Sequence, residues 1–368
     1  MENVEIFEKS NIQFKIYIES LDLPKEEKLQ LIYDYTSYQC RRSILSYFNV
    51  IFGGRGTGKT FKFLDDLIRN KDKFIWLRDN EEVVKKVAKG QSLTFQNEIK
   101  DKTSTFPHIE IVKEDDIYKF VDFKPDGSIN NVYGYLMALS TFKNSRGVDF
   151  SDVDWIIFDE FIPEKSARVL KFQGDTLQNM YETVNRNREL EGREPVRLVL
   201  LANTNYIFSD ILETFGVSDI IEEMTEKGNY IYKTDDIYIR FLENDAFKEL
   251  KKNTLLYRLS SKDDDFNNMA LENKFDIDRT FIDKKPDLKG AKPLFKISKR
   301  YTMLELKNGR LYLKRANYKG LENFNIEEMN DKLLYGDIFK KEVRKRYVIR
   351  KIRFDSIYTQ KFFVDNMI

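Results

Sequence analysis

The chain has 368 residues, 41% of them hydrophobic and 33% charged, with a net charge of +1. Such a composition can bury a core, which excludes a disordered polar chain, and the length suits two domains. There is no apolar run of about 18 residues and no basic-then-apolar start, so neither a membrane span nor a signal peptide is expected, while a single cysteine (Cys40) and a single histidine (His108) exclude an intrachain disulfide, a cysteine zinc site and a multi-histidine metal centre.

Residues 1–43 read as helical and polar, a preamble to the first strand. Residues 44–52, ILSYFNVIF, are rich in β-branched and aromatic side chains and predict a buried strand. The next stretch fits G-x-x-x-x-G-K-[ST] over Gly53, Gly54, Arg55, Gly56, Thr57, Gly58, Lys59 and Thr60. Glycines let the backbone turn its N–H groups onto phosphate oxygens, and the following helix offers its N-terminal amides to the same anion. Lys59 would reach the β- and γ-phosphates, and the Thr60 hydroxyl would coordinate Mg²⁺. Residues 59–70 put Phe63, Leu64, Leu67 and Ile68 on one helical face, so strand, loop and helix follow one another as a nucleoside triphosphate site requires.

Residues 73–78 predict a strand, and residues 81 to about 100 a helix. Its Lys85, Lys86 and Lys89 make a charged helix face, which is ordinarily just solvated. His108 stands at a strand start and reads as a turn histidine. Residues 118–123 and 131–139 flank KPDGSI, whose Asp-Gly predicts a hairpin. The segment 142–152 offers Lys143 and Arg146 as phosphate-reaching residues on a loop. Residues 152–160, DVDWIIFDE, form an apolar strand ending in two acids. Asp159 would hold Mg²⁺ through its hydration shell opposite Thr60, and Glu160 would polarise the attacking water. A second acid in that place marks hydrolases of the RecA-like branch. Residues 174 to about 191 predict a helix with Arg186 and Arg188 towards its end, each a solvated surface residue or an arginine finger for a neighbouring subunit. Residues 196–205 form a further apolar strand. Asn203 at its end could sense the γ-phosphate, position the water or simply begin a turn. Continuous apolar strands between helices predict a parallel, doubly covered sheet with ligands at the carboxyl ends of its strands. The expected fold is α/β, with a RecA-like (ASCE) P-loop NTPase domain built on a mostly parallel sheet.

Residues 217–283 read as polar and irregular. From Pro293 the pattern turns to β, with a hairpin around Asn308-Gly309 and a basic strand over 344–354. Residues 284–368 carry 22 Lys and Arg against 10 Asp and Glu, a net +12, and the rest of the chain carries a net −11. A basic tail domain on an acidic body predicts contact with a polyanion. The expected division is 1–218 for an N-terminal extension with the ATPase domain, 219–284 for a linker or lid, and 285–368 for a smaller basic α+β domain.

In its segments IFGGRGTGK, FIWLRDNEEV, SRGVDFSDVDWIIFDEFIPEK, TVNRNRE and VLLANTN, taken in that order, the chain resembles the DNA-packaging ATPases (encapsidation proteins) of small tailed phages, relatives of the large terminase ATPases. The DEFI-EK and RNRE segments are the most specific. The resemblance covers residues 44–215 well and the C-terminal part weakly. It implies an ATP- and Mg²⁺-dependent ring of five subunits at the portal vertex of an empty capsid in the host cytoplasm, drawing double-stranded DNA inward without a membrane. It leaves open whether a structural RNA bridges ring and portal. By motif, Arg186 corresponds to the family's trans-acting arginine, with Arg188 second. The family's lysine before the acid strand falls on Lys143 or Arg146, and counting back from Asp159 favours Arg146. The family's C-terminal domain is similar to an RNase H-like nuclease that has lost its metal ligands. Here the hairpin over 294–315 offers only Glu305, too few acids for two-metal cleavage, so a binding domain is expected. Competing expectations are a helicase-like RecA motor, a nucleotide-gated assembly protein and a terminase with an active nuclease.

Overall fold

The computed structural model describes residues 11–90, 109–114, 116–145, 148–162, 172–203, 207–255, 279–326 and 328–368. His108, Arg146 and the far end of the helix expected to run to about Lys100 lie outside the described residues. The chain divides into two units, one drawn from Met1–Val217 and Met224–Phe275, the other from Ser218–Glu223 and Asp276–Ile368.

The first unit begins with helices α1 (Asn11–Ser20) and α2 (Lys25–Gln39). Strand β1 (Phe48–Gly53) leads through the glycine-rich loop into α3 (Lys59–Asn70), and β2 (Phe74–Arg78) into α4 (Glu81–Ala88). Strands β3 (Glu110–Glu114), β4 (Ile117–Phe123) and β5 (Ile129–Ala138) follow, then β6 (Trp155–Asp159), α5 (Gln173–Asn185), β7 (Arg197–Asn203) and α6 (Asp210–Thr214). Helix α7 (Ser218–Lys227) is divided between the two units, and β8 (Ile231–Lys233), β9 (Ile237–Phe241) and α8 (Asp245–Lys252) complete the first.

Nine strands form one sheet in the order β3-β4-β5-β2-β6-β7-β1-β9-β8. From β5 to β9 every pairing is parallel. The edges are antiparallel, through β3-β4-β5 on one side and β8-β9 on the other. The sheet is therefore mixed, with a parallel centre. Its central strands are buried on both faces, and all five residues of β6 are buried. Alternation along β1 divides two layers. Ile51 joins Phe63, Leu64, Leu67 and Ile68 of α3 and Val84 and Val87 of α4. Phe52 points the other way and stacks on Phe241, with ring centroids 4.7 Å apart. A separate apolar cluster joins α1, α2 and α8 through Phe14, Ile18, Ile32, Tyr35, Ala246 and Phe247.

Residues 218–255 are not irregular. Strand β9 lies in the sheet beside β1, and its buried Arg240 had masked an apolar strand. Gln39 Oε1 accepts from Arg240 Nη2 at 2.8 Å, and Glu243 Oε2 accepts from the same nitrogen at 3.0 Å. That pairing lets a guanidinium sit inside.

The second unit holds a five-stranded sheet of β10 (Lys292–Ile297), β11 (Tyr301–Glu305), β12 (Leu311–Arg315), β13 (Asn323–Phe324) and β14 (Ile352–Phe354), in the order β13-β10-β11-β12-β14. The turn from β11 to β12 contains Asn308 and Gly309, the latter at φ +72°. Helices α9 (Met329–Tyr335), α10 (Lys341–Val348) and α11 (Ile357–Asn366) accompany the sheet, with a π turn (Gly336–Lys340) between α9 and α10. The expected strand over 344–354 thus begins inside helix α10, and only Ile352–Phe354 is extended. Val343 and Tyr347, four apart, meet the core from α10, a helical spacing that the run of basic residues obscured.

Gly134 on β5 is the tightest point of the first sheet's strand packing. An ideal Cβ there would stand 2.5 Å from the Phe74 carbonyl oxygen on β2 and 2.8 Å from its ring. Gly134→Ala should destabilise the protein by roughly 1–3 kcal/mol. Urea denaturation checks this, and an unchanged midpoint would contradict the packing.

Candidate active site

Four strand ends converge at the carboxyl side of the central sheet, one of them running into the glycine-rich loop. Parallel pairing sets Gly53, at the end of β1, beside Asn203, at the end of β7. Pairing of β2 with β6 sets Leu77 beside Phe158, so the next residues, Arg78 and Asp159, also lie alongside. The loop turns through Gly56 at φ +80° and Gly58 at φ +87°, backbone that side chains disfavour. A Cβ on Gly53 would stand 2.7 Å from Leu242 Cδ1. The first turn of α3 has no side-chain cap, so its amides remain available to an anion.

Lys59 is buried beneath the loop. Its Nζ donates to the carbonyls of Gly53 at 2.6 Å and Gly54 at 3.0 Å, and lies 3.5 Å from Thr57 Oγ1 and 3.4 Å from Asn203 Oδ1. Burial pulls its pKa down to about 8, against the opposing pull of Asp159. Thr60 Oγ1 donates to the Asp159 carboxylate, 3.2 and 3.3 Å from its two oxygens. A hydroxyl and a carboxylate are hard oxygen donors of the kind that Mg²⁺ and its bound waters take. These hard oxygens therefore suit a magnesium ion.

The two acids differ sharply. Asp159 has 6% of its side chain exposed and Glu160 54%. Burial pushes the Asp159 carboxyl upward, with Arg78 pulling the other way. Arg78 Nη1 donates to Asp159 Oδ2 at 2.6 Å, while its Nη2 donates to Glu160 Oε2. Glu160 has φ +53°. Asp79 follows Arg78 and accepts from Gln173 Nε2 at 2.8 Å, so the start of α5 is fixed near the site.

The structure thus brings together the loop 53–58, Lys59, Thr60, Asp159, Glu160 and Asn203. It does not bring Arg186 or Arg188 to them. Both follow α5, whose last residue, Asn185, accepts from Val196 N at 2.8 Å just before β7 begins, at the opposite end of the sheet. Helix α5 has 13 residues, which puts Arg186 about 20 Å along its axis from Gln173. Arg188 is buried, and its guanidinium donates to Asp154 Oδ1 at 3.0 Å, Ser151 O at 2.8 Å and Val153 O at 2.6 Å. Arg186 is exposed and has φ +49°. Lys143 is exposed in a 3₁₀ turn (Leu139–Ser145). Lys85 and Lys86 pair with Glu81 and Glu82 one turn earlier on α4, at 2.9 and 2.7 Å.

Arg78, Gln173 and Lys251 were missed in the sequence. Arg78 had a signal, since it closes an apolar strand with a polar group as Asp159 and Asn203 do. Gln173 and Lys251, a residue of α8 whose Nζ donates to the Arg55 carbonyl, carried none.

The profile of the Podovirus DNA encapsidation protein (Gp16) family matches residues 31–366. The DNA packaging protein of Bacillus phage phi29 is 25% identical over 327 residues, covering 84% of this chain and 88% of that protein. That of Bacillus phage B103 is 26% identical over 322 residues, covering 84% and 91%. Among solved structures, the Phi-28 gp11 DNA packaging motor superposes with a TM-score of 0.55 at 23% identity, covering 86% of this chain and 94% of that one. The bacteriophage Phi-29 viral genome packaging motor assembly gives 0.53 at 19% identity, covering 87% and 94%. The chain belongs to the Podovirus DNA encapsidation protein (Gp16) family.

Proposed function

We propose that the protein is an ATP-hydrolysing motor that drives double-stranded DNA into a preformed capsid, acting as a ring at the portal vertex in the host cytoplasm. The observation that carries this reading is the pair Asp159–Glu160, one buried beside Thr60 and the other exposed at the lip of the same strand. The pair stands across β7 from the strand that bears the phosphate loop. One strand between the loop strand and the acid strand is the order of the RecA-like branch, and it supports that fold assignment.

The roles follow from position. The loop amides and the α3 N-terminus bind the phosphates, and Lys59 neutralises them. Thr60 and Asp159 would hold Mg²⁺, which supplies charge neutralisation at the transferring phosphoryl group when bound. Glu160 orients and polarises the water, and Asn203 marks the end of the phosphate. Arg78 now occupies the Glu160 carboxylate, so turnover requires Glu160 to leave it. Arg186 sits too far from its own site to act there. Exposed at the other end of the sheet, it is suited to complete the site of a neighbouring subunit, and this geometry supports a ring, with five subunits the expected number. Arg188, buried with its two terminal nitrogens on Asp154 and two carbonyls, is a structural clamp.

The second unit handles the DNA. Its net +12 over residues 284–368 favours contacts to phosphates, which ignore sequence as packaging must. Strands β12-β11-β10-β13 reproduce the antiparallel triplet and parallel fourth strand of an RNase H-like sheet, whereas β14 joins the other edge. This supports a degenerate RNase H-like domain with one displaced strand. The portal is the expected docking partner.

Steady-state ATPase activity should rise with double-stranded DNA and lose that rise as salt increases. Activity indifferent to DNA would move the assignment to another RecA-like ATPase, and Mn²⁺-dependent nicking of plasmid would make the second unit a nuclease. Glu160→Gln should bind ATP like the wild type yet turn over about 10²–10⁴-fold more slowly. Arg186→Ala should be inactive alone and regain activity when mixed with Glu160→Gln; mixtures that stay inactive at every ratio would exclude a trans role. ATP affinity should also fall above about pH 8, where Lys59 of the free protein loses its proton. The phosphates favour the protonated lysine, so binding takes up a proton there and weakens by up to roughly tenfold per pH unit. A flat titration from pH 7 to 9.5 would contradict this placement of Lys59.

A further inference from the structure

Helix α8 brings a second lysine to the phosphate loop. Lys59 takes the carbonyls of Gly53 and Gly54 from beneath, and Lys251 takes the next one, that of Arg55. Lys251 Nζ stands 5.1 Å from the centroid of the Phe247 ring. Phe247 Cζ lies 3.3 Å, and Lys251 Nζ 4.0 Å, from the place a Cβ on Gly56 would occupy. The loop therefore bends against this pair with no side chain between.

The peptide joining Arg55 to Gly56 is trans, so its carbonyl and its N–H point in opposite directions. Fixing the Arg55 carbonyl on Lys251 also fixes the Gly56 N–H, one of the amides of a phosphate cradle. An ammonium on the carbonyl further polarises the peptide and strengthens that N–H as a donor.

Helix α8 is itself held in a block. Asn244 caps it, accepting from Phe247 N at 3.1 Å and donating to Ile32 O at 3.2 Å and Thr36 Oγ1 at 3.1 Å on α2. Asn11 Nδ2 on α1 donates to Asp245 Oδ2 at 2.8 Å, and Lys15 pairs with Glu249 at 3.2 Å. Tyr33 of α2 comes within 3.0 Å of a Cβ position on Gly58. One helical block thus meets the loop at two of its glycines.

We propose that Lys251 is a positioning residue that orients the Arg55–Gly56 peptide for phosphate, so that nucleotide affinity depends on how the block of α1, α2 and α8 is seated. This rests on the nucleotide-site reading above.

The test is a titration of the full-length wild type, Lys59→Ala, Lys251→Met and Lys251→Arg with a fluorescent ATP analogue, together with melting curves of the nucleotide-free proteins. Lys251→Met keeps the stem over Phe247 but loses the donor, and should bind about tenfold more weakly. Its melting temperature should match the wild type, because water can serve the exposed Arg55 carbonyl. Lys251→Arg should restore most of the affinity, a rescue that mere packing would not give. Lys251→Gln is the second neutral variant should the methionine protein fold poorly. Neutral variants that bind like the wild type, or an arginine variant as weak as they are, would overturn the proposal. A wild type that binds no nucleotide, or Lys59→Ala that binds as well as the wild type, would instead remove the nucleotide-site reading itself.

Discussion

The Arg78 guanidinium stands between two carboxylates that follow one another in the chain. In a regular strand, successive side chains point to opposite faces, so neighbouring acids could not share one cation. They do so here because the chain leaves the strand at Glu160, with φ +53°. A non-glycine residue in that region costs on the order of 1–3 kcal/mol. The turn lets Asp159 stay buried against Thr60 while Glu160 swings to the surface, and one planar fork reaches both. Removed from water, Asp159 needs a cation to remain charged. Arg78 supplies it in this state, and a metal ion between Asp159 and Thr60 would do the same in another. A guanidinium relieved of Asp159 has less reason to stay where it also holds Glu160. The buried acid and the exposed one are thus linked through a single side chain.

The same logic separates the two arginines after α5. Arg188 gives its donors to Asp154 and to the carbonyls that precede β6, so it ties the bottom of the acid strand to the helix. A buried guanidinium so engaged cannot be spared for transient contact with a phosphate. Arg186 is exposed and, like Glu160, is a non-glycine residue at positive φ. Backbone of that kind is kept where the surroundings demand a particular side-chain direction. The unusual conformations at Glu160 and Arg186 therefore fall on opposite ends of one sheet, an arrangement that makes chemical sense when one end of a subunit faces the other end of the next.

The parallel centre of the sheet, the loop and the acid pair were legible because each depends on local pattern. Residues 59–70 showed their apolar face, and the helix has those bounds. Residues 48–53 and 155–159 form strands because their apolar runs suit a sheet covered on both faces. What escaped depended on partners distant in the chain. Arg240 reads as a break in a strand until Gln39 is found beside it, 201 positions away. The role of Arg78 depends on the register of β2 against β6. Basic residues over 344–354 hid a helix, since a charge-rich stretch supports either period when only Val343 and Tyr347 face inward. Family resemblance ranked Arg186 before Arg188; that Arg188 is buried and Arg186 exposed could not be read from the sequence.

On the sheet of the second unit, bases outnumber acids. Its five strands carry Lys292, Lys296, Lys314, Arg315 and Arg353 against one acid, Glu305. Glu305 pairs in register with Lys292 on one side and Leu311 on the other. Two-metal cleavage needs several convergent acids. Among the described residues no three acids, histidines or cysteines cluster as metal ligands. These bases leave the core undisturbed, because Phe295, Ile297, Met303, Leu313 and Phe354 hold the sheet from the inside. Charge contacts of this sort are numerous, individually weak and blind to sequence.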